Sequence, residues 1–408
     1  MFGVIDQHRV PLVLIGGLPA HGTRHLADRF ADEPNTAVVY HDLRDVADGV
    51  VHRTVRVHGT ADTAIVRLDH GCVSCTLRHD LLPLLRRLAR TAGVDRLVCH
   101  LDRVLEPDRV CWELHRTPVD GETVLSDVEI AGVVTVLDAG TWLADATGDD
   151  LLAERGWHGA GDDGRTVAQV ALSQVEFADV LVLAGHAPDP WTAARTGAVR
   201  ARVAPSAPLL DLPGLTGDAL LRTLAEAPRT ARRGAPVDPH GALVRGEPPL
   251  DADCGVELTT FSAQRPFHPG RLYDALDVLL DGVVRTRGRL WVASRPDSAL
   301  WLESAGGGLG LAVLGPWLDA PDSPDWDEVT DERSALASLR WHPVWGDRAQ
   351  ELVVVSHLAE PREIREALSG ALLTDAELAE GREAWAAYPD PFAHHGEHPV
   401  TTTGKDNA

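Results

Sequence analysis

The sequence predicts an α/β domain with a mostly parallel sheet flanked by helices, followed by a smaller α+β domain. Three observations predict it. Residues 10–230 alternate short apolar runs with helical patterns, the rhythm of strands joined by crossover helices. Residues 229–253 (RTARRGAPVDPHGALVRGEPPLDAD) are rich in Pro, Gly and Arg with no sustained period, as an interdomain linker is. From about Val256 the composition changes, and seven of the 11 tryptophans fall between Trp291 and Trp385. The expected division is therefore a first domain over 1–228, a linker over 229–253, a second domain over 254–390 and a polar tail over 391–408.

In the first domain the apolar runs predict strands at Val10–Ile15, Ala37–Tyr40, Thr63–Leu68, Arg96–Cys99, Gly132–Leu137, Val180–Leu183 and Val199–Val203. Helical periodicity predicts Thr23–Phe30, Leu77–Thr91 and Thr166–Glu176. In the second, VELTTFSA, RGRLWVAS, ALWLESAG and QELVVVSH read as strands, and Pro269–Leu280 and Glu360–Ser369 as helices.

Composition bounds the function. An apolar fraction of 44% is that of a globular protein, and no stretch approaches the roughly 18 consecutive apolar residues of a membrane helix. The N-terminus shows no basic region followed by an apolar run, so the expected location is cytoplasmic. A formal net charge of −23 argues against nucleic acid and anionic membranes, both polyanions, and is compatible with cationic metals. Five cysteines with one close pair read as reduced thiols with a candidate metal site. Lys405 is the single lysine, so no motif that demands an internal lysine is present.

That last fact bears on LIGGLPAHGTRHLADRF, Leu14 to Phe30. An apolar strand, a glycine pair, a short loop, Thr23 and an amphipathic helix form the layout of a P-loop NTPase, in which backbone N–H groups and a helix N-terminus hold phosphate. The position for lysine reads Gly22.

Two further stretches carry a family resemblance. HGCVSCTLRHDLLPLLRRL resembles the signature of CobW-type proteins, P-loop GTPases linked to zinc and cobalt handling: Gly71, Cys72, Cys75, Thr76, Arg78, Asp80 and Leu81 match, with Ser74 where the middle cysteine belongs. Arg265–Leu276 (RPFHPGRLYDAL), Gly288–Pro296, Trp345–Val355 and Ala371–Leu378 follow the order of the CobW C-terminal domain. Val133–Ala139 and Ser173–Leu183 match segments between them, so the resemblance covers nearly the whole chain. It implies GTP binding with Mg²⁺, coupled to delivery of Zn²⁺ or Co²⁺ to a metalloprotein client, with an intact paralogue as an alternative partner.

Against that pattern the nucleotide elements are altered. Gly16, Leu18 and Thr23 remain in the loop, beside Gly17 as a further candidate nucleotide-binding residue, with Pro19 and His21 at later glycine positions and Gly22 at the lysine. The missing contact is charge-assisted and worth about 1.5–3 kcal/mol. Arg24 is a candidate substitute, but on a helix it lies about 200° around from Gly22. Ala184 to Ala187 stands where the base-reading Asn-Lys-x-Asp belongs, with Asp189 two positions late. His100–Pro107 represents the switch, with Arg103 at its flexible glycine and Glu106-Pro107 kept. Asp138 and Thr23 are the expected Mg²⁺ ligands. The expectation is a degenerate nucleotide site with weak or absent GTPase activity. An NTPase working through non-standard loop residues and a non-catalytic interaction protein are the alternatives.

For metal, Cys72 and Cys75 have the spacing with which a tight turn aims two thiolates at one tetrahedral ion. His70, His79, His41, Asp42 and His100 are candidates to complete it, with His70 or His79 nearest in sequence. The plainer reading is a pair of small apolar residues packing a turn. The tail His394, His395, Glu397 and His398 is a candidate loose metal-collecting arm. His268 is expected in capping or packing, and the C-terminal tryptophans in the core.

Overall fold

A computed structural model describes residues 9–157, 163–228 and 231–393. It separates into two compact units. The first holds most residues up to Pro236; the second holds Val237 onward with two short earlier segments.

The first unit is built on an eight-stranded sheet. Its strands are β1 (Val10–Gly16), β2 (Thr36–Asp42), β3 (Val50–Val57), β4 (Thr60–Arg67) and β5 (Arg96–His100), then β8 (Val128–Asp138), β9 (Val180–Ala184) and β10 (Leu209–Asp211). A two-residue hairpin, β6 (Pro118–Val119) with β7 (Glu122–Thr123), stands apart. The order is β10-β9-β8-β1-β5-β2-β3-β4, parallel from β10 to β2 and antiparallel across β3 and β4. Because side chains alternate along a strand, Val13 and Ile15 of β1 face one side while Leu12 and Leu14 face the other. Val13 and Ile15 join Val98, Val134, Val136, Val180 and Val182 under helix α1 (Ala20–Ala31) and helix Gly217–Ala225, which contribute Leu26, Phe30, Leu220 and Leu224. Such near-continuous burial is why the parallel strands read as unbroken apolar runs.

Two expectations are corrected. Residues Val199–Val203 do not form a strand; they end the helix Pro190–Val203. The antiparallel β3 was not expected, because its VVHRTVRV pattern is only half-buried. The expected linker carries no regular helix or strand among its described residues, and from Val237 it groups with the second unit, where Arg289 donates to the Pro239 and Gly241 carbonyls at 2.9 and 2.7 Å.

The second unit has a five-stranded antiparallel sheet ordered β11 (Glu257–Ala263), β15 (Gln350–Ser356), β12 (Val283–Trp291), β13 (Ser298–Ala305), β14 (Gly308–Pro316). Phe267, Leu272, Leu290, Leu300, Leu352, Ile364 and Leu368 form its core. Trp291, Trp317 and Trp385 are buried in a neighbouring cluster, whereas Trp326 and Trp341 are exposed. His268 caps the helix Pro269–Ala275, its Nδ1 accepting from the Arg271 N–H at 3.3 Å. Phe392 belongs to the core and Arg295 holds Asp390, so the ordered chain extends past the expected start of the tail. His394, His395, Glu397 and His398 lie outside the described residues. Among the described residues no helix is long and apolar enough to cross a membrane.

Candidate functional site

The loop after β1 is short. The strand ends at Gly16 and α1 begins at Ala20, leaving Gly17, Leu18 and Pro19 as the whole connection. Gly17 takes φ +141°, and a Cβ there would stand 2.3 Å from the Val136 carbonyl oxygen, so only glycine fits. Leu18 is buried in the core. Helical bonding has already begun at Thr23, whose N–H donates to the Pro19 carbonyl at 3.0 Å. Its hydroxyl donates back to the Pro19 and Ala20 carbonyls, and the residue is 1% exposed. The Thr23 hydroxyl, an expected Mg²⁺ ligand, is turned here into its own helix. Asp138 is likewise engaged, accepting from the Gly140 N–H at 2.8 Å in the turn that ends β8.

Gly22 faces the sheet. A Cβ there would stand 3.0 Å from Val136 Cγ1 and 3.3 Å from Ala184 Cβ. Arg24 is exposed on another face of α1 and lines a cavity with Tyr40, Asp42 and His100. It therefore cannot take over a lysine's place at Gly22. Asp189 caps the helix Pro190–Val203, accepting from the Thr192 N–H and hydroxyl at 2.8 and 2.7 Å. Those bonds hold its carboxyl below the ordinary range, and a side chain so committed does not read a base. Lacking the lysine, with Thr23 and Asp138 turned to local bonds, the loop does not fit a magnesium–nucleotide complex.

The expected switch is tied down. Gln174 is buried and its Nε2 donates to the Arg103 and Leu105 carbonyls at 2.9 and 3.0 Å. Asp102 accepts from the N–H groups of Leu43 and Val104 at 3.1 and 3.2 Å, and burial raises its carboxyl. Glu106 pairs with Arg165 at 2.5 Å. Residues 102–106 are held from both sides.

The thiol pair sits on a built turn. At Gly71 a Cβ would stand 2.4 Å from the Val46 carbonyl oxygen, so glycine alone lets this turn lie against Val46–Ala47. Cys72 caps helix α2 (Val73–Thr76), its Sγ accepting from the Cys75 N–H at 3.2 Å. Both thiols are free and half-buried. Hydrogen bonding to Cys72, then burial, push the Cys75 thiol up to about 11. A π-turn at Leu77–Leu81 widens the helix before α3 (Leu82–Ala89), a distortion found often at functional sites. It carries Asp80 to His41 and Arg53, both at 2.6 Å. Burial opposes ionisation of Asp80, yet the His41 and Arg53 contacts hold its carboxyl below the ordinary range.

The expected completing ligands are not gathered. His41 is buried and committed to Asp80, Asp42 is held by Arg44, and His100 stacks on Tyr40 with centroids 4.5 Å apart. Burial, then the Arg24 charge, push the His100 imidazole down to about 4. His70 and His79 are exposed. Among the described residues no three His, Cys, Asp or Glu side chains converge as a metal site. The arrangement supplies two thiols from one turn.

Comparison with known proteins gives two domain matches. Residues 23–188 match the CobW/HypB/UreG nucleotide-binding domain, and 256–372 the cobalamin synthesis protein cobW C-terminal domain. The first match begins at Thr23 and stops before Asp189, so Gly16–Gly22 fall outside it. The chain is 41% identical over 403 residues to the zinc chaperone Rv0106 of Mycobacterium tuberculosis, covering 96% of this chain and 94% of that one. It is 25% identical to the zinc-regulated GTPase metalloprotein activator 1 of Dictyostelium discoideum, covering 94% and 84%. A solved structure of Zn(II)-bound YjiA GTPase from E. coli aligns over 90% of this chain and 99% of that chain, at 16% identity and a TM-score of 0.37.

Proposed function

Because the chain belongs to the CobW family, we propose that it is a metallochaperone-type protein carrying a divalent transition metal, zinc, for a metalloprotein client. The observation that carries this reading is the Cys72/Cys75 turn in a chain 41% identical, over 96% of its length, to a protein named as a zinc chaperone. Zinc is the cargo. Two thiolates fill half of a tetrahedral shell, and His70 or His79, both exposed beside the turn, are available for a third position. A half-filled shell suits a donor, because a client's ligands can enter before the thiolates leave. The Cys75 thiol is protonated at neutral pH, so uptake releases a proton and tightens as pH rises. Cobalt, which accepts the same donors, is the second cargo in this reading.

In this reading the altered loop makes the chain a pseudo-GTPase: hydrolysis at Gly16–Thr23 does not drive transfer. The test is competition for zinc against a chromophoric chelator under reducing conditions. The expected result is one zinc per chain, with Cys72→Ser/Cys75→Ser weakened more than tenfold, about 1.4 kcal/mol. Equal affinity in the variant would overturn the reading.

A further inference from the structure

The tryptophans of the second unit divide into two kinds. Trp291, Trp317 and Trp385 fill a buried cluster, whereas Trp326 and Trp341 stand 40% and 41% exposed with their ring centroids 5.6 Å apart at 48°. Leu339 and Val344, two and three residues from Trp341, are 81% and 62% exposed. Single exposed apolar residues are ordinary, but four large ones within residues 326–344, two of them in ring contact, form a patch of the kind that marks an interaction surface.

Ordered backbone presents this patch. Trp326 opens a short turn, Trp326–Glu328, in which Asp325 and Glu328 cap each other reciprocally. Trp341 ends the helix Asp331–Arg340, whose one buried residue is Ala337, so most of that helix faces solvent. His342 and Gly346 exchange backbone bonds at 2.8 and 2.9 Å, and the His342 Nδ1 accepts from the Val344 and Trp345 N–H groups at 3.1 and 3.3 Å. Trp345 packs on Trp291 and Trp385, so this turn is anchored in the core while Val344 is held outward. Side chains fixed in place before binding lose little entropy when a partner arrives.

The charge around the patch has one sign. Residues 319–332 (DAPDSPDWDEVTDE) carry seven carboxylates and no basic residue. Asp322, Asp327 and Asp331 are exposed and in no ion pair among the described residues. The two arginines of the helix are used elsewhere: Arg333 donates to the Pro316 carbonyl at 2.8 Å, and Arg340 pairs with Glu351. Such a rim repels nucleic acid and anionic membranes, and a second copy docked patch to patch would set seven carboxylates against seven. Rings and carboxylates together fit one residue type. A guanidinium stacks on tryptophan and donates to carboxylates, while its methylene stem covers apolar surface.

We propose that the Trp326/Trp341 patch docks an arginine-bearing segment of another protein, with apolar side chains of that segment covering Leu339 and Val344. The proposal goes beyond the zinc-chaperone reading and does not depend on it.

The experiment is fluorescence anisotropy of a labelled Arg-Leu-Pro repeat peptide titrated with the full chain, compared with Trp326→Ser/Trp341→Ser, Leu339→Ser and Asp322→Asn/Asp327→Asn/Asp331→Asn. Thermal melting is the folding control, and the highly exposed Leu339 supplies a variant that keeps the fold should the tryptophan pair not. Binding by the wild type is expected, with at least a tenfold loss in the tryptophan and aspartate variants, a smaller loss in Leu339→Ser, and weakening by salt. An Arg-Gly-Ser repeat should bind at least tenfold more weakly than Arg-Leu-Pro. No binding by the wild type overturns the proposal. So does unchanged binding by the folded tryptophan variant, or equal binding of the two peptides, since either reduces the effect to the chain's net charge. The chain alone should sediment as a monomer; a dimer dissolved by Trp326→Ser/Trp341→Ser would seat a second copy on the patch and overturn it as well. Zinc affinity of the same variants should not move, so failure here and failure of the thiol site are read separately.

Discussion

Restoring the missing lysine, Gly22→Lys, would not restore a phosphate loop. If the cradle were intact, the new ammonium would add a charge-assisted contact of about 1.5–3 kcal/mol, a gain of roughly ten- to 150-fold in GTP affinity. The structure predicts otherwise. At position 22 the Cβ stands 3.0 Å from Val136 Cγ1 and 3.3 Å from Ala184 Cβ, so both strands β8 and β9 must yield before the rest of the side chain is placed. Overpacking of this kind costs about 1–3 kcal/mol, against which replacing a helical glycine returns up to about 1 kcal/mol. The balance is a loss of about 1–2 kcal/mol, or roughly 2–8 °C in the melting temperature of a domain of this size. Gly22→Ala separates the steric cost from that of the buried ammonium, and should fall between wild type and Gly22→Lys. The assays are thermal unfolding and GTP titration with Mg²⁺. Unchanged stability together with a tenfold or larger gain in GTP affinity would refute the reasoning, because it would mean the loop still holds a lysine-shaped place.

Asp80→Asn removes the charge shared by His41 and Arg53 and should cost about 2–3 kcal/mol, read by urea unfolding at neutral pH. The Asp80 carboxyl is held below its unfolded value near 3.8, so its contribution is present above about pH 4 and lost as pH falls through the native value. Acid unfolding below pH 4 should therefore be steeper in wild type than in Asp80→Asn; equal slopes would remove Asp80 from the account. Gln174→Ala releases the Arg103 and Leu105 carbonyls, and should cost about 1–3 kcal/mol while speeding amide hydrogen exchange across residues 102–106. Unchanged exchange there would show that Gln174 does not hold this segment.

What the sequence revealed follows burial. β1, β5, β8 and β9 were legible because parallel strands buried on both faces read as unbroken apolar runs. β3 was not, since in VVHRTVRV the run His52-Arg53-Thr54 breaks the alternation between Val51 and Val55, in a half-exposed hairpin. AVRARV at the end of Pro190–Val203 looks like an alternating strand, and only Asp189, capping that helix nine residues or more upstream, explains why it is not. The same residue shows how a site is misread: a carboxylate near a base-reading position proved to be a helix cap. Cys72 and Cys75 declared themselves by spacing, but the fate of their neighbours did not, because His41 is held by Asp80, a partner 39 residues away. The gathering of four arginines around one cavity of the first unit was invisible in sequence. Arg24, Arg44, Arg103 and Arg155 come together only through the strand order of the sheet.

The central claim, that Cys72 and Cys75 carry the metal, is tested most directly by titrating Co²⁺ into the reduced protein and following the thiolate-to-cobalt charge-transfer absorption. The account predicts a band that saturates at one cobalt per chain, collapses when zinc is added, and is absent in Cys72→Ser/Cys75→Ser. No band in the wild type, or the same band in the variant, would contradict it.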